Sequence, residues 1–104
     1  MSKFGMYVKF TAQPGKRDAL VEILLNAAKS MENVDDCEIY VVNVSEIDSE
    51  TIWVTEVWSS KEAHQKSLTF EGAKEMIAQA KPLITAIEAI NIMPLGGKGI
   101  ENML

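Results

Sequence analysis

"CEIYVVNVSEIDSETIWVTEVWSSKEAH", residues 37–64, decides the fold of this chain. Two runs rich in β-branched and aromatic side chains, CEIYVVNV and TIWVTEVW, flank SEIDSE, whose Ser and Asp side chains bond nearby backbone groups and favour a turn. The runs are expected to pair as a hairpin. In the second, Ile52, Val54, Glu56 and Trp58 share one face and Thr51, Trp53, Thr55 and Val57 the other, because side chains alternate along a strand. In the first, Ile39 and Val41 oppose Tyr40, Val42 and Val44. A carboxylate therefore stands two positions from an indole, on the same face. After Trp58, SSKE fits a capping box in which Ser59 bonds the amide of Glu62 and Glu62 reaches back, opening a short helix through about Leu68.

Upstream of the hairpin, Phe4, Met6, Val8, Phe10 and Ala12 alternate with Gly5, Tyr7, Lys9 and Thr11, the period of a half-buried strand that Pro14-Gly15 ends. From Arg17 to Val34 the apolar residues Leu20, Ile23, Leu24, Ala27, Ala28 and Met31 follow helical spacing. Downstream, a second short helix is expected from Thr69 to Lys81, with Phe70, Ala73, Ile77 and Ala80 on one side and Pro82 enforcing its end. AIEAINIM supplies the last strand, closed by Pro94, and PLGGKGIENML is a glycine-rich tail. The order strand, helix, strand, strand, helices, strand is the split βαβ arrangement, an α+β ferredoxin-like fold with a four-stranded antiparallel sheet carrying helices on one face.

With 104 residues, 47% of them hydrophobic and 24% charged, the chain suits one domain with one packed core, its ordered part spanning about 4–94 and its tail 95–104. Ten basic against fifteen acidic side chains give a formal charge of −5, the wrong sign for nucleic acid or an anionic membrane. Cys37, the single cysteine, can form no internal disulfide and has no second cysteine for a structural zinc site, so a reducing cytoplasm is expected and no metal is. The first residues carry no apolar core of a secretory signal, and no apolar run reaches membrane-spanning length. The protein is expected to stay where it is made. GGKG lacks the spacing of a phosphate-binding loop.

Both faces of the hairpin are apolar, yet the helices of so short a chain can cover only one. An open face bearing Trp53, Val57, Tyr40 and Val42 would forgo ~1.5–3 kcal/mol for each side chain left wet. A second copy packed sheet to sheet removes the deficit, so a homodimer forming a joint barrel is expected. Glu56 and Trp58 then lie under the helices of their own chain, where a cleft can hold an organic ligand.

Three stretches, EVWSSKEAH after a strand, KPLI ahead of the last strand and the PLGGKG tail, together resemble the antibiotic biosynthesis monooxygenase (ABM) domain, and within it the quinol monooxygenase branch. The likeness spans roughly Met6 to Gly99. It implies a dimeric α+β barrel and oxidation of a small aromatic quinol or phenol by O₂ without a cofactor. It also implies a role for Trp58, matched to the family's Trp at the end of this strand, whose indole would stack on a substrate ring and whose N–H would bond an oxygen. Glu56, on the same face, would accept a proton if burial raises its pKa, and His64, on the following helix, could reach the same cleft. Haem-degrading relatives carry an Asn on the first strand; GMYVKFTA has none, which disfavours that reaction.

Ordinary packing competes with each role. Trp58 can plug the space between helix and sheet, Glu56 can cap the helix beside Ser59 and Ser60, and His64, between Lys61, Gln65 and Lys66, can be a solvated surface residue. Tyr7, Tyr40 and Phe70 can line a pocket for substrate or pack in the core. A non-catalytic dimeric binder or stress-response protein holding an aromatic metabolite is the rival reading.

Overall fold

The computed structural model describes residues 2–100. Strand β1 (Phe4–Ala12) leads through a tight turn at Gly15, whose φ of 75° lies in the left-handed region that favours glycine, into helix α1 (Arg17–Ser30). Strands β2 (Cys37–Val44) and β3 (Thr51–Trp58) form the hairpin. Helices α2 (Lys61–Ser67) and α3 (Glu71–Ala80) follow, then a single 3₁₀ turn (Lys81–Leu83) and strand β4 (Ile84–Ile92). The sheet is antiparallel in the order β2-β3-β1-β4, the ferredoxin-like α+β arrangement.

Local chemistry places each boundary. In the hairpin turn Ser45 Oγ accepts the amides of Ile47 and Asp48, and Asp48 Oδ1 accepts that of Glu50 at 3.0 Å. Arg17 then ties the turn to α1 by donating to the carbonyls of Ser45 and Asp48. Helix α1 ends at Ser30, four residues short of Val34. There the Glu32 amide bonds the Lys29 carbonyl and the Val34 amide bonds Met31, the tighter spacing that unwinds a helix end. Helix α3 begins at Glu71 rather than Thr69, and Lys81 belongs to the 3₁₀ turn that Pro82 imposes.

Register corrects the expected open face. Tyr40 pairs with Glu56 and Val42 with Val54, so both side chains lie on the helix side of the sheet. The open face instead carries Tyr7 and Lys9 of β1, Val41 of β2, Trp53 of β3, and Glu88 and Ile90 of β4. Lys9 Nζ stands 3.8 Å from Glu88 Oε2 and 5.8 Å from the centroid of the Trp53 ring. On the helix side Val8, Ala12, Leu20, Leu24, Ile52, Val54 and Ala80 form the buried core. Helix α1 rests on β1, β2 and β3, whereas α3 rests chiefly on α1 and stands off the sheet. That stand-off creates the cavity described next.

In the tail, Gly97 and Ile100 form an isolated bridge, with Gly97 and Gly99 at φ 136° and 100°. None of residues 95–100 lines the cavity, and residues 101–104 lie outside the described residues. No helix among the described residues is long and apolar enough to cross a membrane.

Candidate functional site

Between α1, α2, α3 and the sheet lies a cavity of about 860 Å³. Its functional end is built by the last turn of strand chemistry in β3. Alternation puts Glu56 and Trp58 on the helix side, and α2 then folds back over them because its start is capped. The cap is Ser60, whose Oγ accepts the Ala63 amide at 3.1 Å, not Ser59. Ser59 is turned away, its Oγ donating to Asp36 Oδ1. His64, one turn into the helix, stands over the sheet with its side chain only 15% exposed.

Trp58 is 2% exposed and Glu56 8%. The indole Nε1–H donates to Glu56 Oε1 at 2.9 Å, so it is already spent on a protein acceptor. The donor that the resemblance would turn toward a substrate oxygen thus satisfies a buried carboxylate, which is costly to leave without a partner. His64 Nε2 lies 3.9 Å from the same oxygen, beyond hydrogen-bond reach but within ion-pair range if the ring is protonated. The imidazole meets Trp58 edge-on, with centroids 5.4 Å apart, and tilts against Phe4 at 5.3 Å. Ser67 Oγ donates to the His64 carbonyl and fastens the far end of the turn.

Burial pushes the Glu56 carboxyl above the usual carboxylate range, opposed in part by the Trp58 N–H and then by His64. Tyr40, directly across the β2–β3 ladder, is pushed well above the ordinary phenol range by burial first and the Glu56 charge second. It therefore remains a neutral hydroxyl. Cys37, paired with Trp58 in the ladder, has its thiol raised to about 11 by burial, then by Glu56 and Glu38, which removes it as a nucleophile at neutral pH.

Of the six residues singled out from the sequence, Glu56, Trp58, His64, Tyr40 and Phe70 line this cavity. Tyr7 does not. It pairs with Thr55 and Ile90 on the open face, where strand alternation carries it away from Met6 and Val8. The walls also include Met6, Phe10, Leu24, Met76 and Ile87, none of which sequence reasoning marked as functional, because an apolar wall residue and an apolar core residue follow the same period. Among the described residues no three His, Cys, Asp or Glu side chains converge as metal ligands. The arrangement offers a ligand one carboxylate able to take a proton, the neutral Tyr40 hydroxyl and the His64 ring, in an enclosure whose remaining walls are mostly apolar.

Comparison with known proteins assigns the family. The family model for antibiotic biosynthesis monooxygenase matches residues 4–79, and the chain belongs to this family. A crystal structure of a candidate antibiotic biosynthesis monooxygenase from Chloroflexus aurantiacus J-10-fl is 42% identical. It superposes with a TM-score of 0.88, covering 96% of this chain and 100% of that one. A second, from Caulobacter crescentus CB15, is 21% identical with a TM-score of 0.84, covering 91% of this chain and 92% of that one. A conserved protein from Methanosarcina mazei Go1, 14% identical, still superposes at 0.80 over 88% of this chain and 92% of that one. The last two share the fold. None of the curated proteins matches the chain.

Proposed function

We propose that the protein is a cofactor-independent monooxygenase that oxidises a small aromatic quinol or phenol with O₂. The observation that carries this reading is a buried carboxylate of raised proton affinity, Glu56, aimed by the Trp58 N–H into an apolar cavity. A quinol hydroxyl placed there gives its proton to Glu56, with His64 beside it to hold or pass on the charge. The anion left behind is electron-rich enough to reduce O₂ itself. For a quinol, one oxygen atom enters the ring and the other leaves as water, with the ring supplying all four electrons: C₆H₆O₂ + O₂ gives C₆H₄O₃ + H₂O. What the protein contributes is proton transfer, orientation and exclusion of water. The neutral Tyr40 hydroxyl can donate to the oxyanion as it forms.

The working unit in this reading is a homodimer. Tyr7, Val41, Trp53 and Ile90 are large apolar side chains left exposed on the open sheet face. Between them the Lys9–Glu88 pair offers both signs of charge to a two-fold mate. A second copy on this face would dry the patch. The unpaired Cys37 suits a cytoplasmic setting.

Oxygen uptake on a panel of hydroquinones, with the protein freed of metal by chelation, tests the activity. Uptake above the uncatalysed rate supports the reading. Ligand binding with no uptake would instead support the non-catalytic binder.

A further inference from the structure

The cavity is asymmetric along its length. Its titratable groups, buried Glu56 with half-buried Tyr40 and His64, gather where β2, β3 and α2 meet. The far end, between α3 and β4, is walled by Phe10, Ile77, Ile84 and Ile87. Two polar residues border it: Thr85, whose hydroxyl is spent on the Thr11 carbonyl, and Lys81, at the exposed rim. This end is also open. Ile77 is 45% exposed and Ile87 57%, because α3 leans on α1 and leaves the helix side of β4 bare.

The ladder gives the distance between the ends. Glu56 pairs with Met6 and Ile87 with Phe10, so the ends lie four residues apart along β1 and two strands apart across the sheet. That is roughly 13 Å by roughly 10 Å, far more than one aromatic ring occupies. A one-ring quinol held at Glu56 leaves the far end without a partner. A fused polyphenol long enough to reach it would press hydroxyls against Phe10, Ile77, Ile84 and Ile87, which offer them no hydrogen bond, and only those at the rim would meet Lys81 or water. A flexible hydrocarbon has neither problem, and the open rim lets chains of different length leave.

Building on the oxygenase reading, we propose that the substrate is an amphiphile: a phenol or quinol head against Glu56, bearing an aliphatic chain that runs between α3 and β4 over Phe10, Ile77 and Ile87. The chain supplies affinity through burial, while the head presents its hydroxyl to the carboxylate. Specificity then lies in the head for chemistry and in chain length for binding.

Anaerobic calorimetric titration with 4-alkylphenols from methyl to octyl tests this without turnover, on the wild type and on an Ile77→Ser, Ile87→Ser double variant. Both positions are half-exposed, so the variant keeps the core intact. Affinity should rise by up to about fourfold per methylene and level off once the chain passes the rim. The double variant should lose about tenfold or more for the octyl compound and bind the methyl compound as the wild type does. Affinity independent of chain length, or a gain that the double variant retains, overturns the proposal. So does a double variant with unchanged affinity that no longer self-associates, since a second copy would then cover the rim. Oxygen uptake with methylhydroquinone separates the two readings. Uptake with a flat chain series discards the chain alone; a steep series without uptake discards oxygenation alone.

Discussion

At the residue scale, burial and two neighbours set the proton affinity of Glu56 in opposing senses: burial raises it, while the Trp58 N–H and His64 lower it. The balance has two consequences. Trp58→Phe removes the donor and keeps most of the ring, so the carboxyl is pushed further up and the acid limb of the pH–rate profile moves to higher pH. The same change should cost about 1–3 kcal/mol of stability, read by urea unfolding, because a buried oxygen loses its partner. An unmoved acid limb would show that the group titrating is not Glu56. The second consequence concerns stability. The folded carboxyl binds its proton more tightly than the unfolded one, so the wild type loses stability as pH rises from the ordinary carboxylate value of about 4.3 through the folded value. Glu56→Gln should therefore melt above the wild type at neutral pH and match it in acid. Equal melting temperatures at both would contradict the burial penalty. The pairing of Glu56 with Trp58 was legible from strand alternation alone. Their hydrogen bond was not, since sequence period gives faces but not rotamers, and on the proposed function it makes Trp58 the group that orients the carboxylate.

At the scale of elements, the Ser60 cap fixes the start of α2 over Glu56 and Trp58. Ser60→Ala should destabilise the protein by about 1 kcal/mol in chemical denaturation and loosen His64, whereas Ser59→Ala spares the cap because Ser59 bonds only Asp36 at the surface. Two adjacent serines before KEAH made the start of this helix visible in the sequence but not which of them caps it. The outcome depends on how the last residues of β3 leave the sheet. Strand β1 was readable outright, because its inner residues are apolar and Lys9 and Thr11 mark the outer set. Strand β2 was not: Ile39 and Val41 are as apolar as Tyr40 and Val42, so no pattern fixed which set lies beside Glu56. Pairing with β3 decides it, and places Tyr40 in the cavity and Val41 on the open face. Tyr7 fell outside the cavity by the alternation that placed its neighbours inside.

For the whole molecule, a single helical layer covers one side of the sheet and leaves Tyr7, Val41, Trp53 and Ile90 on the other. This imbalance was visible in the sequence as apolar residues on both faces of the hairpin, although half of the residues expected on the open face proved to belong inside. Sedimentation velocity should give a dimer for the wild type and a folded monomer for Trp53→Lys, since Trp53 is already partly exposed and its loss leaves the core alone. A wild-type monomer in dilute solution would remove the dimer. The proposed oxygenation belongs to the cavity on the opposite side, where Glu56 is the one carboxylate among the residues lining it. Oxidation of a hydroquinone under ¹⁸O₂ tests that placement most directly, with wild type and Glu56→Gln compared by mass spectrometry of the product. The account predicts one labelled atom in the hydroxyquinone, label also in water, and a rate about 10²–10⁴-fold lower for the variant. An unlabelled quinone accompanied by hydrogen peroxide, or a variant as fast as the wild type, would contradict it.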